Sequence, residues 1–211
     1  MQAAIPHPLP KRVFDAVVAA ALLLLFSPVL LVVVAAVAVD GALVPADRGP
    51  LLYREQRVSQ GRRFELLKFR TLRRDVLERV RARDEYSQLA ELDRANLTWV
   101  GRRLLKPWYL DELPQLLNVL RGDISLVGPR PWPPVMVEQQ VVEGLDYRNR
   151  IVAGLTGPAQ VTKGRGRSYA ELDLAYVEAC RELGGWALVR YDLAILRETL
   201  AVLRRGEGLN Y

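Results

Sequence analysis

The chain has 211 residues, half of them hydrophobic, enough to bury a sizeable core in one domain with room for an appendage. A single cysteine, Cys180, excludes an intrachain disulfide framework, and with only one histidine, His7, a zinc site of the usual ligand types has no donor set. The net charge of +6 points to an anionic partner: nucleic acid, phospholipid or a phosphorylated substrate. The excess is local, with 12 Lys/Arg against 4 Asp/Glu between Arg48 and Arg83.

From Val13 to Val39 the only charge is Asp15. A stretch this long suits a membrane segment better than a buried core helix. Lys11-Arg12 and the "AVA" of Ala36 to Ala38 imitate a secretory signal, but the apolar run is nearly twice the usual signal core of about 15 residues. Ser27-Pro28 interrupts the run, and proline breaks or kinks a helix because it has no N–H and clashes with the carbonyl four residues back. Two halves of about 14 and 11 residues each reach roughly 21 Å or less, short of a hydrocarbon core of about 30 Å. As one kinked helix the segment could span; as helix-break-helix it would enter and leave the same leaflet, with Ser27 helping to satisfy backbone groups at the bend. Lys11 and Arg12 before the segment and Arg48, Arg54 and Arg57 after it favour the re-entrant form, because basic residues prefer the cytoplasmic side.

Beyond it, the pattern predicts a short strand around Leu51–Tyr53, a loop near Gly61 and a strand over Phe64–Phe69. Arg73 to Leu92 reads as a solvated or membrane-surface helix. A short amphipathic helix follows over Leu113–Leu120, closed by Gly122. Between Arg150 and Arg167 lie four glycines and the basic trio Lys163, Arg165 and Arg167. The last helix sets Leu188, Tyr191, Ile195, Thr199 and Val202 along one face and stops at Gly206. That face reads as core, although Trp186 ahead and Arg204-Arg205 behind also suit a membrane surface. Cys180 reads as a small buried residue on a helix.

There is no phosphate-binding G-x-x-x-x-G-K-[ST] loop, no dinucleotide fingerprint after a strand, no nucleophile elbow and no H-E-x-x-H. Chemistry must therefore use carboxylates and Lys/Arg, with or without a metal. Asp111-Glu112 leads the candidates. As an N-cap, Asp111 would contribute about 1 kcal/mol with Pro114 harmless in the first turn. As a reacting group it would be kept ionised by the helix end, with Glu112 about 100° further round. Arg130, fixed between Pro129 and Pro131, is mounted for bidentate phosphate recognition. Lys68 and Arg70 place basic groups on a strand, a weaker signal.

"KRVFD" before a Ser-Pro-broken apolar segment, "REQR", "FELLKFRTLRRD", "LDELPQLLNVLRGDISLVGPRP", "GLTGPAQV" and "LDLAYV" stand in one order. Together they resemble the bacterial sugar transferases, the monotopic phosphoglycosyl transferases, in a minimal small form. The resemblance implies transfer of a sugar-1-phosphate from a UDP-sugar to polyprenyl (undecaprenyl) phosphate with release of UMP, the initiating step of cell-surface glycan or glycoconjugate synthesis. It makes Asp111 the nucleophile of a covalent phosphosugar-aspartate and Glu112 its partner, both able to bind Mg²⁺. Lys68, Arg70 and Arg130, and less directly Gln160 and Asp173, become phosphate or uridine contacts. Departures from the family pattern are Tyr109 where a small residue is usual, Ser59 for a glycine, Ala153 for a proline, and "TKGRGRS".

The expected fold is α+β, mostly helical with a small β-sheet or hairpin and surface amphipathic helices. Residues 1–40 form the re-entrant segment, broken at Ser27 and Pro28, and 41–211 a catalytic domain on the cytoplasmic face of the inner membrane. Partners are the UDP-sugar, the polyprenyl phosphate and the phospholipid bilayer, without nucleic acid; a homodimer is left open. The alternative is an inactive membrane-anchored scaffold of the same fold.

Overall fold

Pro28 shapes the N-terminal segment. Helix α1 (Leu9–Leu25) and helix α2 (Ser27–Leu43) are each 17 residues long and bend by 60° at the break between them. The missing Pro28 N–H would have bonded the Leu24 carbonyl in an unbroken helix; the Ser27 hydroxyl donates to that carbonyl instead, at 2.8 Å. Among the described residues no single helix is long and apolar enough to cross a membrane, while the bent pair passes by length and composition. The computed structural model describes residues 3–82, 87–162 and 168–205. The basic trio Lys163, Arg165 and Arg167 and the stop at Gly206 lie outside them.

The fold is α+β and mostly helical, with two small two-stranded sheets. Strands β1 (Leu52–Ser59) and β2 (Arg62–Phe69) form a hairpin about Gln60-Gly61, both at positive φ. The first strand outruns its expected length because Arg54, Glu55 and Arg57 conceal it from a hydropathy reading. Helices α3 (Arg74–Ala82), α4 (Ser87–Glu91) and α5 (Gln115–Arg121) follow. Then come β3 (Ser125–Val127), α6 (Pro134–Val142), β4 (Gly154–Thr156), α7 (Pro158–Val161), α8 (Tyr169–Glu182) and α9 (Gly185–Arg205). Arg73 to Leu92 is thus not one solvated helix: Val76, Leu77 and Val80 of α3 are buried with Tyr53, Leu72 and Leu97.

The chain divides into two compact units, each assembled from separated stretches. One comprises Met1–Ala20, Gln56–Glu65 and Leu117–Tyr211; the other comprises Ala21–Glu55 and Leu66–Leu116. In the second, one face of α2 packs through Val29, Val33, Ala36 and Val37 with Phe69, Val100 and Leu105, leaving Leu31, Val32, Val39 and Leu43 exposed.

In the first unit, β3 and β4 pair in parallel, Ser125 opposite Gly154 and Val127 opposite Thr156. The backbones approach so closely that a Cβ on Gly154 would lie 2.0 Å from the Gly128 nitrogen, so only glycine fits. Helix α9 packs on β3 and α7, and α7 also on α8, whose start is a Ser168–Glu171 capping box. The buried face of α9 holds Leu188, Val189, Asp192, Ile195, Thr199 and Val202. Tyr191 is not on it; the helix is rotated so that Asp192 points inward.

Asp192 is buried because it has partners. Lys11 of α1 donates to it, and the Tyr176 hydroxyl donates to it at 2.9 Å. Asp15, fully buried, accepts from Ser125 at 2.7 Å and lies 3.8 Å from the Lys11 ammonium. Arg12 donates to the Val119 and Leu120 carbonyls at the end of α5. The charges of "KRVFD" are therefore used inside this unit, and Lys11, counted above as a basic membrane flank, is neutralised there. Lys11→Met should destabilise the protein by about 3–5 kcal/mol by stranding Asp192, and Lys11→Met/Asp192→Leu should recover most of it, measured by denaturant unfolding in detergent.

Candidate active site

The site residues of the second unit are organised by the end of β2. Alternation along the strand sends Phe69 into the cluster with Val33, Val100 and Leu105, and Lys68 to the other face. The Arg70 guanidinium donates to the carbonyls of Pro50 (3.0 Å), Leu72 (2.7 Å) and Asp47. Arg70, expected as a phosphate or uridine contact, is here a buried clamp on the chain between α2 and β1. Thr71 donates its hydroxyl to Glu91 at 2.6 Å, and its carbonyl accepts from the Thr98 backbone at 2.8 Å.

From Thr98 the chain coils tightly. The Trp99 and Val100 amides donate to the Asp47 and Asp40 carboxylates at 3.0 and 3.3 Å, which satisfies the first orphan donors of the coil. Gly101 lies so near Thr71 that a Cβ would come within 2.6 Å of its carbonyl oxygen. Gly101–Leu105 form a π-helical turn, and the Lys106 amide closes it on the Gly101 carbonyl at 3.0 Å. Tyr109 then takes a left-handed conformation (φ 55°), uncommon for an aromatic residue. The reversal brings Lys106 to within 3.0 Å of Asp111, five residues on.

Asp111 is not the N-cap of α5. It sits in a 3₁₀ turn over Leu110–Glu112, whose amides at Glu112 and Leu113 bond three residues back. Pro114 offers no N–H, so the regular helix begins only at Gln115. The carboxylate instead accepts from Lys106 through Oδ2, and it is 1% exposed. Lys106 also donates to Glu91 at 2.5 Å. Lys68, 1% exposed, has no hydrogen-bond partner for its ammonium among the described residues, yet its charge is felt by both Asp111 and Glu91. Lys106, Glu91 and Thr71 escaped the sequence reading. The signal for Lys106 was its place five residues before Asp111 in "LLKPWYLD"; nothing marked Glu91.

Burial is the largest influence on Asp111 and pushes its carboxyl up to about 6; Lys106 and Lys68 hold it down while Glu112 and Glu91 raise it. For Lys106, burial opposes the charge, but Asp111 and Glu91 outweigh it and keep the ammonium well above its ordinary range. Burial likewise opposes the charge on Glu91, yet Lys68 and Lys106 hold its carboxyl below the ordinary value.

Arg130, Gln160 and Asp173 belong to the other unit. The Arg130 carbonyl accepts from Arg148, whose guanidinium stacks 4.0 Å over the Trp132 ring. Asp173 accepts from Arg148 and from the Tyr147 hydroxyl, both at 2.8 Å, so it anchors Arg148 from a buried position. Gln160 is buried in α7 and donates to the Leu155 carbonyl at 3.1 Å; its Oε1 has no partner among the described residues. Among the described residues no group of three His, Cys, Asp or Glu is placed to hold a metal ion. Asp111 and Glu112 do supply the hard oxygen donors that suit Mg²⁺, which commonly takes one or two carboxylates and completes its shell with water and substrate phosphates.

A family model described as bacterial sugar transferase matches residues 7–206. The chain belongs to the bacterial sugar transferase family. It is 37% identical to the UDP-glucose:undecaprenyl-phosphate glucose-1-phosphate transferase of Caulobacter vibrioides, over 92% of this chain and 70% of that relative. It is 36% identical to the undecaprenyl-phosphate galactose phosphotransferase of Salmonella typhimurium, over 78% of this chain and 36% of the relative. The UDP-glucose:undecaprenyl-phosphate glucose-1-phosphate transferase of Escherichia coli is 35% identical over 70% of this chain and 31% of its own length. The chain thus spans about a third of the Salmonella and Escherichia relatives and about two thirds of the Caulobacter one.

Since the folded-state pKa of Glu91 lies below its unfolded value of 4.5, its stabilisation is complete above that pH and fades as pH falls through the lowered pKa. Glu91→Gln should cost about 2 kcal/mol at pH 7, and its deficit relative to wild type should shrink toward pH 4 in unfolding experiments.

Proposed function

We propose that this protein moves a sugar-1-phosphate from a UDP-sugar to undecaprenyl phosphate, releasing UMP, and so begins the assembly of a cell-surface glycan or glycoconjugate. The observation that carries this reading is the buried Asp111 carboxylate, gripped by Lys106 beside Glu112, in a family whose relatives bear the names of such transferases. A carboxylate held in a dry, rigid setting is suited to attack phosphorus, since little solvent must be rearranged before reaction.

Asp111 attacks the sugar-linked phosphorus to form a covalent phosphosugar-aspartate, and the lipid phosphate then takes the phosphosugar from it. Glu112 assists as partner in metal binding or proton transfer. Mg²⁺, held by Asp111 and Glu112 together with substrate phosphates, would offset the charge of the diphosphate that otherwise repels a carboxylate. Lys68, with an ammonium that no described residue bonds, supplies positive charge for the phosphoryl oxygens. For Arg130 and Gln160 it is the family resemblance alone that suggests phosphate or uridine contacts. Arg70 and Asp173 serve indirectly, by the clamp on Pro50, Leu72 and Asp47 and by the hold on Arg148.

The acceptor phosphate stands at the bilayer surface on a lipid tail. The apolar stretch on either side of Ser27-Pro28 would then be a re-entrant element in the inner membrane, with the polar start of α1 and the rest of the chain on its cytoplasmic face. The 60° bend, the Ser27 bond to Leu24 and the exposed Leu31, Val32, Val39 and Leu43 support that topology.

In membranes or nanodiscs, UMP should be released from at least one member of a UDP-sugar panel, and only when undecaprenyl phosphate is present. Asp111→Asn should reduce release by about a thousandfold or more; full activity in that variant would remove the nucleophile assignment. Silence with every donor would favour the scaffold. For topology, Ala4→Cys and Ala46→Cys in a Cys180→Ser background should both react with an impermeant maleimide from the cytoplasmic side only. Labelling from opposite sides would establish a span.

A further inference from the structure

Two lysines act on Asp111, Lys106 by a hydrogen bond and Lys68 by its charge, and their bonding differs. Lys68 has no hydrogen-bond partner among the described residues, whereas Lys106 has two carboxylates, Asp111 at 3.0 Å and Glu91 at 2.5 Å. The bond from Lys106 reaches Asp111 at Oδ2 and is the only side-chain hydrogen bond that Asp111 makes among the described residues. Lys106 is itself fixed at both ends, and its partner Glu91 is held in turn. Glu91 holds its ammonium, the Thr71 hydroxyl holds Glu91 at 2.6 Å, and the π turn anchors its backbone to Gly101. A continuous series of bonds therefore runs from the end of β2 through Thr71, Glu91 and Lys106 to one oxygen of Asp111.

Building on the transferase reading above, we infer that Lys106 is the positioning residue of the attacking carboxylate, holding Asp111 by Oδ2 so that Oδ1 is the oxygen that meets phosphorus. In that step an Oδ1–P bond forms, the bridging P–O bond to UMP breaks, and its electron pair leaves with UMP; no proton has to move. Asp111 thereby loses its negative charge. A half-buried ammonium with Asp111 as its sole counter-ion would then be left unpaired, a state that partial burial penalises. Glu91 removes that difficulty, because it keeps Lys106 charged and in place while the phosphosugar resides on Asp111. Lys68, free of such bonds, stays available to the substrate.

The test uses the full chain in nanodiscs, with a UDP-sugar that the wild type turns over. Lys106→Met should lower kcat about a hundredfold, the cost of a misplaced reacting group, while KM for the UDP-sugar stays within about threefold. Lys106→Arg, which can fork to both carboxylates, should recover to within about tenfold of wild type. Without acceptor, intact mass should show the phosphosugar adduct forming on Lys106→Met at a rate reduced in the same proportion. If Lys106→Met does not fold, Lys106→Gln carries the same expectation. Wild-type kcat in a folded Lys106→Met, or a raised KM with unchanged kcat, would overturn the assignment; the latter would make Lys106 a substrate ligand. Failure of a folded Lys106→Arg to recover would overturn it too. A wild type inert toward every UDP-sugar would instead overturn the transferase reading, and this assignment with it.

Discussion

A half-buried ammonium between two buried carboxylates is the constraint on which the second unit depends. Burying any one of Lys106, Glu91 and Asp111 alone would cost several kcal/mol, and each becomes tolerable only in the presence of the others. The backbone is shaped to meet that condition. Gly101 permits close approach to Thr71, the π turn ends at Lys106, and left-handed Tyr109 returns the chain so that Asp111 arrives beside it. The Asp40 and Asp47 carboxylates, capping the Val100 and Trp99 amides, tie the start of this coil to the end of α2. The position of the proposed nucleophile thus follows from choices made all along the chain between Asp40 and Asp111, far beyond its own short turn.

The first unit obeys the same rule with different residues. Lys11, Asp15 and Asp192 are buried as a group; the Tyr176 hydroxyl donates to the Asp192 oxygen that Lys11 does not use, while Ser125 donates to the same Asp15 Oδ2 that faces Lys11 and leaves Asp15 Oδ1 without a partner among the described residues. Arg148 is buried against Trp132, Gln140 and Asp173, and uses one further donor on the Arg130 carbonyl. That bond fixes the backbone of a residue already stiffened by prolines on both sides. A phosphate contact made by Arg130 would therefore start from a backbone with little freedom to lose.

What could be read in advance was whatever local chemistry determines. The Ser27-Pro28 break, the hairpin about Gly61, the helix after Pro114 and burial of Cys180 all follow from side chains acting on their own neighbours. The family blocks carried the rest of the fold class. Periodicity failed where a charged residue is buried with a distant partner. Tyr191 was placed on the inner face of α9 because hydropathy favours it over Asp192, and only Lys11, 181 positions away, reverses that preference. Arg70 and Asp173 looked like ligands for the same reason in reverse: a charge reads as available until its partners are seen. Glu91 was invisible because its meaning lies in Lys106 and Thr71, neither of which marks it by spacing.

Ser27 shows how a local rule and the proposed membrane setting meet. In water, the carbonyl of Leu24 exposed by Pro28 could bond solvent, and a serine there would add little. In hydrocarbon an unpaired carbonyl costs several kcal/mol, so a hydroxyl three residues on becomes worth retaining. The bend also separates two demands on one segment. The part of α1 that carries Lys11, Arg12 and Asp15 is held by buried polar bonds, while α2 leaves an apolar face uncovered. A straight helix would carry both requirements along one axis, whereas a helix broken at Ser27-Pro28 lets the second half take another direction, as the proposed re-entrant setting requires.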